Sequence, residues 1–143
     1  MARKQSNLAE KSRNMADSAK RRQAERERKQ RADEERERVG VSKDMKKKAP
    51  ALFAKVRREI DKAADDSKKR LDFLVDHFLD SSFPTPQEKN IKKHQFEINC
   101  LMQHTVNLLQ KAGYSAYPDW SKFQAPADDF MGDSSTAYLR ISW

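Results

Sequence analysis

The chain is poor in the residues on which many small scaffolds depend. One cysteine, Cys100, in 143 residues excludes a disulfide framework and leaves no CxxC pair for a structural zinc site. Three glycines leave no glycine-rich phosphate loop of the usual kind, and five prolines exclude a collagen-like repeat. No apolar run approaches the roughly 20 residues that a membrane-spanning helix requires. Behind the first basic residues, Met1-Ala2-Arg3-Lys4-Gln5 has no apolar stretch either, so no secretory signal is expected. Hydrophobic residues make up 36% of the chain, no more than the charged ones, which leaves material for one small core.

What the chain has in abundance is charge, unevenly placed. Residues 1–48 hold 17 Lys and Arg against 9 Asp and Glu, a net of +8, which is the net charge of the whole protein. The remainder is balanced. After Met1, the first 48 residues contain only Leu8, Met15, Val39, Val41 and Met45 as large apolar side chains, so this segment cannot build a core of its own. Its richness in Ala, Glu, Lys, Arg and Gln predicts helix from Asn7 to about Arg38, with Glu27–Arg31 and Glu34–Arg38 as supporting i,i+4 pairs. No a/d seam of large residues is sustained, so a stable coiled coil is not indicated. Val39-Gly40-Val41-Ser42 reads as a break after a basic last turn. The expected division is a solvated basic arm, 1–48, and a folded part, 49–143.

In the folded part, a helix is expected to begin near Pro50. Phe53, Val56, Ile60, Ala63, Ser67, Leu71, Leu74 and Phe78 lie three and four apart, as on one amphipathic face. A stop follows at Asp80-Ser81-Ser82-Phe83-Pro84. Thr85-Pro86-Gln87-Glu88 has the form of a capping box, predicting a helix from Pro86 to Ala112 that buries Ile91, Ile98, Leu101, Met102, Thr105, Leu108 and Leu109 and ends at Gly113. These two segments form an antiparallel helical hairpin in this reading. Tyr114 to Tyr117 reads as a short strand. Thr136 to Trp143 alternates cleanly, with Ala137, Leu139, Ile141 and Trp143 on one face. Between them Trp120, Phe123, Phe130 and Met131 suggest a loop folded over the helices. The fold class is therefore mainly α (α+β): a long basic N-terminal helix, a helical hairpin and a small C-terminal two-stranded β element.

Few residues form a chemical constellation. Cys100 and His104 are spaced i,i+4 with His94 on the same helix, but four ligands are wanting, and no metal or cofactor is expected. Asp128, Asp129 and Asp133 lack the ligand spacing of an EF-hand. No serine stands in a nucleophile-elbow context, no carboxylate or histidine is placed in a pocket, and Cys100 falls on a buried helical face. The reading is non-enzymatic, with no catalytic residue. On the expected second helix Asp72, Asp76 and Asp80 would line one stripe, met by Lys89, Lys92 and Lys93 or serving as a protein-docking face. The cations of the arm carry the functional signal. Lys20, Arg21, Arg22, Arg26, Arg28, Lys29 and Arg31, followed by Lys46, Lys47 and Lys48, can neutralise phosphates or meet a mixed-charge protein surface. Glu25, Glu27, Asp33, Glu34, Glu35 and Glu37 are interleaved with them. Opposite the cations stands mostly alanine, which argues against membrane-surface binding.

The charged arm, the hairpin closing on Lys111-Ala112-Gly113-Tyr114 and the terminal Tyr138-Leu139-Arg140-Ile141-Ser142-Trp143 together resemble small bacteriophage proteins in general build. The resemblance implies a virion-associated or accessory protein, located in the host cytoplasm or the virion, with no catalytic residues to transfer. The leading expectation is a structural or assembly protein whose arm docks on a larger protein assembly or on packaged nucleic acid. Homo-oligomerisation is compatible with it. The alternative is a nucleic-acid-binding regulator or a small inhibitor of a nucleic-acid enzyme.

Overall fold

A computed structural model describes residues 2–128 and 132–143, with side chains from Asn7 onward. Helix α1 spans Ala2–Asp65, strand β1 Arg70–Leu79, a 3-10 turn Asp80–Ser82, helix α2 Gln87–Lys111, strand β2 Ser115–Phe123 and strand β3 Ser134–Ser142. The chain divides into two compact units, Met1–Gly40 and Val41–Trp143. The described residues of the first all belong to α1, and every side chain described from Asn7 to Gly40 is exposed.

Helix α1 runs through both residues expected to interrupt it. The described left-handed glycines are Gly113 and Gly132, so Gly40 stays helical at a cost of about 1 kcal/mol against alanine. Pro50 also lies inside the helix, where it removes one backbone donor. Packing outweighs this loss: Met45, Ala49, Val56, Ile60 and Ala63 are all buried and recur at helical spacing on both sides of the proline.

The expected hairpin is not formed, because its first limb is divided. The helical face holds as far as Ala63; then Ser67 adopts a positive φ of 62°, and its N–H and that of Lys68 bond back to the carbonyls of Ala64 and Ala63. From Arg70 the period is two. Leu71, Phe73 and Val75 alternate towards the core while Asp72 and Leu74 face away, a pattern that competes with the helical spacing of Leu71, Leu74 and Phe78.

The β element thus has three strands, in the order β1-β3-β2, antiparallel throughout. Ser135, Ala137, Leu139 and Ile141 of the central strand are buried and alternate with half-exposed neighbours. Ala137, Leu139 and Ile141 pack with Val56 and Ile60 of α1 and Met102, Val106 and Leu109 of α2, so the second unit has a helical layer on one face of the sheet. Each large side chain in this cluster contributes about 1.5–3 kcal/mol. Helix α2 runs nearly as expected, ending at Gly113 with φ 96°. Its capping box is not formed. Pro86 is the N-cap without a side-chain bond, and the turn is instead held by Asn90 donating to the Pro84 carbonyl and Gln87 donating to that of Asp80.

Candidate functional site

Lys20, Arg21, Arg22, Arg26, Arg28, Lys29 and Arg31 are all exposed on α1 within the first unit. At about 100° per residue, cations and acids alternate around the whole helix, so neither sign owns a face. The lysines 46–48 are exposed on α1 within the second unit.

The acidic stripe does not exist as expected. A register shift between Leu74 and Asp76 inserts Val75 as a bulge, which reverses the direction of the side chains after it. Asp72 lies opposite Arg140 on the open face of the sheet, whereas Asp76 lies opposite Ala137 on the helix-covered face. Asp80 falls in the 3-10 turn. Lys92, expected to answer these acids, pairs with Glu88 at 3.1 Å, and Asp76 accepts from His94 Nε2 at 2.6 Å. His94 is further held edge-on to Phe78, with ring centroids 5.0 Å apart. Among the described residues, the buried Asp80 Oδ1 atom meets no hydrogen-bond partner.

His104 Nε2 lies 3.1 Å from both the hydroxyl and the carbonyl oxygen of Ser42. A carbonyl only accepts, so this nitrogen carries a proton and is not the base for the serine. Burial pushes the neighbouring Cys100 thiol up, and a hydrogen bond with Ser42 offsets part of the effect. The cluster therefore joins α1 to α2 without activating either nucleophile. Among the described residues no three His, Cys, Asp or Glu side chains are grouped to hold a metal.

The open face of the sheet centres on Arg140. Its Nη1 donates to Asp72 at 3.0 Å and its Nε to Asp119 at 3.1 Å, tying both edge strands to the central one. These two bonds, that with Asp72 foremost, push the guanidinium pKa up. The guanidinium also lies 4.7 Å from the centroid of the Tyr138 ring. His77 Nδ1 is 2.8 Å from the Thr136 hydroxyl on the same face. Tyr117, Phe123 and Leu74 are 60%, 59% and 54% exposed there.

The aromatic loop expected over the helices is mostly strand. Trp120 turns inward from β2 and donates its indole N–H to Asn99 at 2.5 Å, while Phe123 lies at the end of β2 on the open face. Phe130 and Met131 lie outside the described residues, as does Asp129 of the acidic cluster. Sequence reasoning assigned Arg140 to the polar side of an alternating strand but not its partners, because these are set by cross-strand register. His94 and Asp76 meet only because the bulge at Val75 turns Asp76 to the helix-covered face; the alternation from Leu71 to Val75, continued, would have put it on the open one.

These features define a two-layer α+β unit with one open sheet face, together with a helical unit exposed on all sides. No protein-family model matches the chain, and no curated protein or solved structure matches it either. Among the described residues, no helix is long and apolar enough to cross a membrane.

Proposed function

We propose that the protein is a non-enzymatic binding and assembly protein that docks on packaged or free nucleic acid through the basic helix of its first unit. One observation carries this reading: from Asn7 to Gly40 every side chain is exposed, and eleven of them are lysine or arginine. A helix that buries nothing gains little stability from its own fold. Its cations are instead exposed, where they can displace counterions from a phosphate backbone. The virion-associated role implied by the resemblance to small phage proteins belongs to the same proposal.

The test is a fluorescence titration of full-length protein against duplex DNA and single-stranded RNA at two salt concentrations, beside a variant carrying Lys20→Glu, Arg22→Glu, Lys29→Glu and Arg31→Glu. Four neutralised phosphates predict roughly a hundredfold loss of affinity over a fourfold rise in salt. The variant is expected to lose most of the binding. Salt-independent or absent binding in the parent protein would refute the nucleic-acid reading. A second reading, docking on a mixed-charge protein surface, is favoured by the acids Glu25, Glu27, Asp33 and Glu34 between the cations. In that case the same variant would fail to co-assemble with the protein partner while nucleic-acid binding remained absent.

A further inference from the structure

The end of the sheet where β1 and β2 begin and β3 finishes gathers charge and aromatic surface that the core does not use. Register places Arg70, Ser142 and Ser115 in one cross-strand row and Asp72, Arg140 and Tyr117 in the next, all on the open face. Arg70, Asp72, Tyr117, Arg140 and Ser142 line a hollow of about 150 Å³. That volume admits one small group of a larger ligand rather than a whole drug-sized molecule.

Asp72 and Asp119 together balance Arg140, so the positive charge this corner offers an anion comes from Arg70, with Arg140 adding hydrogen-bond donors. Asp72 is engaged by Arg140, which retains further N–H groups beyond the two bonds it makes to carboxylates. Among the described residues, the side chains of Arg70, Lys68 and Lys69 have no ion-pair partner, although Asp65 and Asp66 shortly precede them in the chain. The ring of Tyr117, 60% exposed, stands beside this hollow. Tyr138 is its diagonal neighbour on the same face, about 7 Å away. An exposed ring beside a phosphate-sized hollow with one arginine outside any ion pair and further N–H donors on a second suits an unpaired nucleotide, whose base can stack while its phosphate is held. A paired base in a duplex presents no such free face.

We infer that this corner of the open sheet face is a binding site for single-stranded nucleic acid, with a phosphate held by Arg70 and Arg140 and a base stacked on Tyr117. The site deepens the nucleic-acid reading of the basic helix and rests on it for the identity of the polymer. Arg140 also ties the strands together, so Arg70 and Tyr117 are the residues to vary.

The experiment titrates full-length protein with a labelled oligothymidylate of about 12 nucleotides and with a hairpin duplex of similar charge. Oligoglutamate serves as an acidic-peptide competitor. Tyr117→Ala is expected to weaken the single strand about tenfold and the duplex hardly at all, Tyr117→Phe to stay within about twofold, and Arg70→Gln to weaken the single strand several-fold. Circular dichroism checks that each variant is folded. If Tyr117→Ala leaves single-strand binding unchanged while charge reversal on the basic helix removes it, the sheet site is overturned and the helix reading stands. Binding lost in Tyr117→Ala but kept on charge reversal supports the sheet site and overturns the helix. Failure to bind either polymer overturns both, and displacement by oligoglutamate as effective as by oligothymidylate overturns the choice of ligand.

Discussion

Arg140 and Cys100 illustrate what single residues can and cannot announce. The alternation from Thr136 to Trp143 was enough to put Arg140 with Tyr138 on the polar side of a strand. Its two carboxylates come from strands earlier in the chain, and only register brings them within 3.1 Å. Cys100, expected on a buried helical face, is half-buried, and the burial it has pushes its thiol up. Folding therefore favours the neutral thiol. This contribution is fully present below the ordinary thiol range and is lost as pH rises through the raised value. Alkylation of the native protein is expected to accelerate only above the pH at which the unfolded protein reacts. Ser42→Ala, which removes the bond favouring the thiolate, should move the profile higher still. A native profile at or below the unfolded one would contradict this account, as measured by mass spectrometry of iodoacetamide adducts.

At the scale of elements, local punctuation misled wherever packing or a competing period was stronger. Gly113 ended α2 as expected because its φ of 96° suits a residue without Cβ. Gly40 and Pro50 looked like boundaries, yet α1 continues through both. A Cβ added at Gly40 would meet nothing within 4 Å, so Gly40→Ala should stabilise the helix by roughly 0.5–1 kcal/mol and increase far-UV ellipticity. Pro50 is exposed while Ala49 beside it is buried; Pro50→Ala should raise the melting temperature by restoring a backbone donor without disturbing the buried seam. A lower melting temperature would mean that the proline shapes a bend the core needs. The misreading of 70–79 has a different origin. Leu71, Leu74 and Phe78 fit a helical face, whereas Leu71, Phe73 and Val75 fit a strand, and both patterns coexist in ten residues.

Across the molecule, stability and charge are separated along the chain. The segment 7–40 buries no side chain, whereas the second unit encloses Val56, Met102, Leu109 and Leu139 at 0% exposure. Hydrogen exchange should consequently be fast throughout 7–40 and slowest in β3 and the middle of α2; equal protection in both would show that the first helix is covered in solution. Composition alone was sufficient for the exposed basic helix, since its residues favour helix and cannot bury themselves. Period alone was sufficient for α2 and β3, whose apolar residues repeat over many positions without a rival pattern. Tertiary structure decided the third strand, the bulge at Val75 and the meeting of Arg140 with Asp72, Asp119 and Tyr117. The physical reason is that strands complete their hydrogen bonds only with one another. A one-residue shift in register sends a side chain to the opposite face, and nothing local to the residue records that choice.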